Sequence, residues 1–473
     1  MRAALTSRWA ERAPWRGPAS TGPTVGLRRL GPRGDAADGP LRDRWLIPAG
    51  ALVASVAVGV GVVERPRDTV VVAAAVGAMA LAATRPAWFG VGIVVSLLFP
   101  YVWSPNVAGG PTPPVVLFAY PGAVLGALVL LRGGRLRTNR FDVLVVGLAV
   151  SAFVSEAMTS HGHRYTIELL KAGVLPYAAF RIVFAAWPSA MSKLPEALMW
   201  VGVAASAIAA WEVVAGGNPF LHGPVNPLLA RWAVNIHRGG LIRAAATFGH
   251  PIALGAFLVV PIVIAFARRR WRLLAVLAVG ELLTLSRGPW IAAILAVLLY
   301  ASLTQGFRRI WLVAVILIVV GLFVGPVRHV VTSSFQSGTV EQANAAYRTE
   351  LIGSTLGSLT VWGDPAPDTV PTYLLSQLRP TDLTSEPALI ASKQGVGGLF
   401  LWLGLLAALG VAATTAWRRR DYLLLSLAVA ALGLWIAMVS VALITTLAAT
   451  FWLVTASVAT LWSADRVSNP NAT

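Results

Sequence analysis

The chain has 473 residues, of which 56% are hydrophobic and only 12% are charged, and its mean hydropathy is +0.71. This composition excludes an ordinary soluble domain and predicts a polytopic membrane protein, in which a net charge of +18 reflects the distribution of cations about the membrane rather than binding to nucleic acid. The absence of cysteine excludes disulfides and thiolate chemistry, and 6 histidines make a transition-metal site improbable, so we expect no metal and no cofactor.

Residues 1–45 carry 9 arginines against 4 acidic residues and have almost no apolar periodicity. They are predicted to form a disordered basic cytoplasmic tail, and contact with anionic lipid head groups is the alternative to plain disorder. A cleaved signal peptide is not expected, because the first apolar run begins only near Trp45 and is followed by ERPRD rather than by a small-residue cleavage site.

Fourteen apolar runs follow the tail, and some are shorter than the roughly 20 residues that a straight helix needs to cross the bilayer. The runs lie at about 46–63, 69–84, 88–103, 115–131, 142–158, 167–186, 196–215, 251–267, 271–285, 289–304, 309–326, 397–416, 422–441 and 443–463. They predict an all-α, polytopic membrane helical bundle of about 12–14 transmembrane helices, eleven of them within 46–326 and the last within 397–466.

Arginine clusters alternate with these runs and test the topology. With the N-terminus in the cytoplasm, the clusters at 132–140, 268–272, 308–309 and 418–420 all fall on the cytoplasmic side. Three stretches then lie outside: the loop 216–250, the turn SRGP that contains Arg287, and the segment 327–396. We expect this last segment to be one long extracytoplasmic loop that contains short helices, and its length favours a function.

Soluble-enzyme motifs are missing: there is no phosphate-binding glycine loop, no pair of histidines at helical spacing and no GxSxG sequence. The outer face instead carries arginines, Arg243, Arg287 and Arg348, supported by Arg231 and Arg238. External arginines are comparatively scarce under the positive-inside rule, and the guanidinium suits bidentate binding of phosphate oxygens. A lipid diphosphate presents such an anion at head-group depth.

Each candidate also has a structural interpretation. Arg287 suits an interfacial anchor, and Arg348 suits a partner of a nearby glutamate on a solvated helix face. Arg243 is placed to bind carbonyl groups of its own loop, and His250 before a proline is more often found at a helix start than as a catalytic base. Glu281 lies inside an apolar run, so we expect it to be paired with an external arginine or to be functional.

Three stretches resemble the O-antigen ligase and polymerase family of bacterial envelope enzymes. RAAATFGHPIALG followed by LTLSRGPW is similar to the family's arginine, TF-G-x-P turn and SRG at the next outward turn. YRTELIGSTLGSLTVWGDPAPD resembles its loop segment, with Arg348 on the arginine and Gly363 on the first glycine. SEPALIASKQGVGGLFLWLGLL resembles the stretch that leads into the next helix, with Gly395 and Gly398 on its glycines, so the resemblance covers about 240–416.

The resemblance implies a metal-independent membrane glycosyltransferase that transfers or polymerises glycan from a polyprenyl-diphosphate-linked donor. Its place would be the plasma (inner) membrane, multi-pass and among membrane lipids, with the N-terminus cytoplasmic and the active face extracytoplasmic. Arg243, Arg287 and Arg348 would bind the donor diphosphate and stabilise the charge that develops on it as the leaving group. The acceptor would be a glycan or a lipid.

One departure from the family concerns the general base. Ligases of this family carry a histidine near the end of the long loop, whereas the corresponding window here reads DLTSEPAL. Asp382 or Glu386 would serve as the base in its place; alternatively the base is His250, or the chain is a non-catalytic family member. A transporter or flippase of lipid-linked glycans is a further alternative, but such proteins place charges near the midplane of inverted repeats, and here the charges cluster at one face without internal symmetry.

Overall fold

A computed structural model gives the structure of the protein. It describes residues 76–107, 110–133, 136–159, 164–232, 234–238, 241–305, 353, 357, 359–363, 385–439 and 445–468, all within one compact unit, 44–473. The predicted tail 1–45, the apolar runs 46–63 and 309–326, and most of the long loop with Arg348 and Asp382 lie outside the described residues.

The described chain is almost entirely helical, which confirms the predicted all-α polytopic bundle. The helices are α1 (Pro86–Val95), α2 (Pro114–Gly133), α3 (Arg140–Thr159), α4 (Arg164–Leu169), α5 (Leu175–Ala186), α6 (Leu194–Ala215), α7 (Pro251–Ala267), α8 (Trp271–Leu283), α9 (Arg287–Gln305), α10 (Glu386–Arg419), α11 (Tyr422–Met438) and α12 (Thr445–Ser468). A π-helical turn, Leu170–Val174, joins α4 to α5. Within the described part, seven helices are long and apolar enough to span a membrane, and three shorter apolar helices accompany them.

The apolar run at 88–103, predicted as a single span, is broken. Helix α1 ends at Val95, and two 3-10 turns, Ser96–Leu98 and Tyr101–Trp103, follow it. Pro100 causes the break, because the residue before a proline is forced towards extended backbone, and Phe99 has φ −70° and ψ 133°. The end of this run therefore becomes part of a cap over one end of the bundle, where the Trp103 indole N–H donates to Phe220 O at 2.9 Å.

Two antiparallel two-residue hairpins interrupt the helices. β1 (Asn106–Val107) pairs with β2 (Gly110–Pro111), with Asn106 opposite Pro111. β3 (His237–Arg238) pairs with β4 (Leu241–Ile242), with His237 opposite Ile242. The second hairpin belongs to the 216–250 loop and delivers the chain directly to Arg243.

Helix α7 is the centre of the bundle. All of its residues from Ala253 to Phe266 are buried, as expected of a helix that is apolar on every side and surrounded by protein. Helix α11 approaches it closely at Gly433, where a Cβ would lie 2.7 Å from Val259 Cγ1 and 2.9 Å from Ala296 Cβ of α9. A glycine at this crossing lets three helices pack at short range.

The helix directions define two ends of the bundle. Tyr300, near the end of α9, lies within electrostatic range of Arg269 after α7 and of Tyr422 at the start of α11. Since α7 and α9 end there, their first residues lie at the opposite end of the bundle. The first residue of α10 lies at that opposite end as well, because α10 runs antiparallel to α11 and a short turn connects the two helices. We call this opposite end, which includes Arg287 and Glu386, the site end.

Candidate functional site

Arg243 is fixed to the turn between α8 and α9. Its Nε donates to Thr284 O at 3.2 Å, and its Nη2 donates to Ser286 Oγ at 2.8 Å. The neighbouring Ala244 N–H donates to Leu283 O at 3.1 Å, so backbone and side chain hold the same turn. Since Arg287 follows Ser286, the structure brings two of the three predicted phosphate-binding arginines to one turn.

Two residues around Arg243 have left-handed backbone conformations that non-glycine residues rarely adopt. They are Ala246, with φ 46°, and Leu285, with φ 48°, which lies between the two residues that bind the Arg243 guanidinium. Such a conformation costs about 1 kcal/mol or more per residue. The surrounding contacts therefore impose this local geometry on the chain.

A buried carboxylate that the sequence analysis did not single out holds the loop before α7. Glu212 Oε2 accepts the N–H groups of Ala245 at 3.0 Å and Ala246 at 2.7 Å. The Asn218 amide adds a bond from Nδ2 to Ala246 O at 2.8 Å. The available signal was an acidic residue in the last turn of an apolar run that ends in a glycine pair, because a charge in such a run needs hydrogen-bond donors.

His250 caps the start of α7. Its Nδ1 accepts the Ile252 N–H at 3.2 Å, as a capping side chain does. Desolvation, and to a lesser extent the nearby positive charge of Arg243, lower the pKa of His250 from 6.5 to about 3. The imidazole is then neutral at neutral pH but has little affinity for a proton, so these properties favour its structural role over that of general base.

Glu281 is buried and lies one turn before the residues that bind Arg243. Neither of its carboxylate oxygens has a hydrogen-bond partner among the described residues, so the expected pairing with an external arginine is not formed within this part of the chain. Its side chain packs beside Gly255, where a Cβ would lie 3.2 Å from Oε1. Its backbone oxygen accepts the Trp290 indole N–H at 2.8 Å and the Thr284 hydroxyl at 2.8 Å.

Two of the glycines that carry the family resemblance, Gly363 and Gly395, meet each other. Gly363, φ 78°, and Gly395, φ 65°, both have positive φ, and Gly395 forms a kink inside α10. A Cβ on Gly363 would lie 2.6 Å from Gln394 N, and one on Gly395 would lie 2.5 Å from Val361 O. The end of the described loop segment thus crosses the kink at backbone contact distance, which no larger residue permits. The predicted start of the final spans, 397, falls just after this kink.

Helix α10 begins with Glu386, which is buried at the site end. Its first segment is tied to α3 and α4 by polar contacts, from Ser155 Oγ to Lys393 O at 2.7 Å and from Gln394 Nε2 to the Tyr165 hydroxyl at 3.0 Å. Gln394 Oε1 is buried without a hydrogen-bond partner in the described part of the chain. A second polar region therefore lies at the site end around the predicted base Glu386.

The geometry thus defines a multi-pass helical membrane protein in which, at one end of the bundle, Arg243 binds the turn that directly precedes Arg287. A small cleft opens beside the Arg243 loop, bounded by Pro100, Val102, Asn218, Phe220, Ala245 and Thr247. No group of three or more His, Asp or Glu that could hold a metal ion occurs among the described residues. Comparison of the chain with models of protein families and with curated proteins finds no match.

Proposed function

We propose that this chain is a membrane glycosyltransferase of the O-antigen ligase and polymerase type, which uses a polyprenyl-diphosphate-linked glycan as donor at the outer face of the plasma membrane. The observation that carries the proposal is the attachment of the Arg243 side chain to the turn that bears Arg287. Two guanidinium groups at one end of an apolar bundle provide the charge and the donor geometry that a lipid diphosphate requires.

The part of the site that binds the donor needs little besides these two cations. The acceptor hydroxyl oxygen attacks the anomeric carbon, the bond from that carbon to the diphosphate breaks, and the diphosphate leaves with an additional negative charge. Cations that are fixed before the reaction stabilise this charge without reorganising, and at a low-dielectric membrane surface the effect is stronger than in water. The bonds from Arg243 to Thr284 and Ser286 supply that fixation.

The acceptor half needs a group that takes the hydroxyl proton. Among the described residues we favour Glu386, because its carboxyl is buried at the first turn of α10 and lies at the same end of the bundle as Arg243 and Arg287. Asp382, four residues earlier, and Arg348 remain predictions for the long loop. His250 is the weaker choice, given its lowered pKa and its contact with the start of α7.

The test is transfer from a polyprenyl-diphosphate-linked glycan by the purified protein in lipid nanodiscs. Arg243→Ala and Arg287→Ala are each expected to lower the rate by roughly 100-fold or more, the scale seen when one fixed donor to a developing anion is lost. Arg243→Lys keeps the charge but loses the planar fork, so an intermediate rate is expected. Arg272→Ala, at the opposite end, is the matched control and should retain the wild-type rate.

Full activity in both alanine variants, with wild-type thermal unfolding midpoints, would refute the proposed donor site. Binding of the carrier lipid by the wild type without turnover would favour a non-catalytic family member. Vectorial movement of the donor across the membrane without transfer would favour a flippase.

A further inference from the structure

The end of the bundle opposite the site end carries a dense set of exposed arginines. The turn between α7 and α8 and the first turn of α8 supply Arg268, Arg269, Arg270 and Arg272, and the turn between α10 and α11 supplies Arg418, Arg419 and Arg420. We call these seven residues the arginine surface. The two turns lie at the same end of the bundle, because the Phe266 ring, just before the first turn, packs against the Tyr300 ring at a centroid distance of 6.1 Å, and Tyr300 lies within electrostatic range of Tyr422, just after the second turn.

Both turns place an arginine where the backbone favours glycine. Arg269 has φ 55° and Arg420 has φ 57°, and Arg420 caps the end of α10, donating its N–H to Trp417 O at 3.1 Å. The left-handed position after a helix is usually occupied by glycine because a Cβ is strained there. In each turn an arginine thus occupies a strained backbone position. We take this as an indication that the guanidinium group has a function.

Two carboxylates in the described part of the chain lie beside this surface. Asp421 uses its carboxylate as the cap of α11, accepting the N–H groups of Leu423 at 3.1 Å and Leu424 at 3.0 Å. Glu196 lies within electrostatic range of Arg268. Within the part of the chain that the structure describes, these two carboxylates lie beside seven arginines, so the surface keeps an excess of positive charge.

Exposed aromatic residues lie at the same level. Trp271 is 55% exposed, Trp417 is 45% exposed and Tyr422 is 47% exposed, and all three flank the two turns. Tryptophan and tyrosine are enriched where a membrane helix meets the lipid head groups. This places the arginine surface at the depth of lipid phosphates rather than in bulk water, and it favours a lipid over a soluble anionic partner.

We propose that the arginine surface binds the phosphate head groups of anionic phospholipids, with Arg269 and Arg420 as the residues that fix the head group between the two turns. Guanidinium groups match phosphate oxygens in bidentate geometry, and basic residues between transmembrane helices are suited to anionic head groups. This inference does not depend on the proposed enzymatic function, since it concerns the opposite end of the bundle.

The experiment titrates the full chain, in zwitterionic detergent, with short-chain phosphatidylglycerol and counts bound lipid by native mass spectrometry. Arg269→Gly/Arg420→Gly is expected to weaken binding roughly 30-fold, about 2 kcal/mol at the usual conversion of 1.4 kcal/mol per tenfold. Arg269→Lys/Arg420→Lys keeps both charges but loses the planar forks, so an intermediate affinity is expected. Short-chain phosphatidylcholine should bind weakly to all three proteins.

The glycine variant also separates this role from a structural one. Because glycine relieves the left-handed strain, the thermal midpoint of Arg269→Gly/Arg420→Gly without added lipid should equal or exceed that of the wild type. The control Arg137→Ala/Arg140→Ala removes two exposed arginines from another turn. Equal loss of affinity in this control would mean a diffuse charge effect and would overturn the site, as would unchanged phosphatidylglycerol binding in the glycine variant.

Discussion

Replacing Gly395 by alanine should strongly destabilise the protein. The backbone there has φ 65° and ψ −156°, a region that is essentially restricted to glycine, and forcing alanine into it costs about 1–3 kcal/mol. The new Cβ would also lie 2.5 Å from Val361 O, and such overpacking typically costs about 1–3 kcal/mol more. We therefore expect Gly395→Ala to lower the free energy of unfolding by roughly 3–5 kcal/mol, within the sum of those two ranges.

Unfolding of the purified protein in mild detergent, followed by circular dichroism, measures this loss. Gly410→Ala is the matched control, because Gly410 lies in the same helix and a Cβ there would meet nothing within 4 Å. That substitution should stabilise the helix by about 0.5–1 kcal/mol, since alanine has the higher helix propensity. If the two variants unfold with the same free energy, the close crossing of the loop segment over α10 is wrong.

Three further predictions concern buried polar groups. Glu281→Met should raise the free energy of unfolding by about 1–3 kcal/mol, because it removes a buried carboxyl that lacks a described partner, and a fall in stability would reveal a partner. The pKa of His250 is about 3 in the folded protein against 6.5 ordinarily. Its neutral imidazole therefore contributes fully to the free energy of unfolding above pH 6.5, and this contribution is lost as the pH falls towards 3. Between pH 7 and pH 5 the wild type should therefore lose about 2 kcal/mol more stability than His250→Asn, and parallel pH profiles would contradict the lowered pKa. Arg181→Met should cost about 3 kcal/mol, since it leaves Asp142, 3.2 Å away and bonded to Tyr177, without its cation, and the loss should shrink in Arg181→Met/Asp142→Asn.

Hydropathy alone was sufficient to predict the position of most of the described helices of the bundle. The predicted runs 142–158, 196–215 and 251–267 lie within two residues of Arg140–Thr159, Leu194–Ala215 and Pro251–Ala267, because a helix in lipid must be apolar along its whole length. Two of the described runs differ: α10 begins at Glu386 rather than at 397, inside the predicted loop, and 88–103 is broken, because apolar composition is equally compatible with a membrane helix and with 3-10 turns that pack against the loops. Pro100 was the local signal against a continuous helix.

The arginines of the candidate site were predictable from the sequence, but the hydrogen bonds that hold them were not. The predicted topology put Arg243 and Arg287 at one face, and in the structure Arg243 bonds Ser286, the residue before Arg287. The role of Glu212 as an acceptor for two loop amides was not predictable, because it depends on how the 216–250 loop folds back over the end of α6. The contact of Gly363 with Gly395 likewise depends on a crossing between distant segments, although the glycines themselves stood out.

Arg243 and Arg287 are proposed to bind a lipid diphosphate. The most direct measurement is the affinity of the detergent-solubilised protein for a short polyprenyl diphosphate and for the matching monophosphate. The wild type should prefer the diphosphate, and Arg243→Ala should lose about 1.5–3 kcal/mol of diphosphate affinity, the value of a charge-assisted hydrogen bond, with a smaller loss for the monophosphate. Equal affinity of the wild type and Arg243→Ala for the diphosphate would contradict the claim.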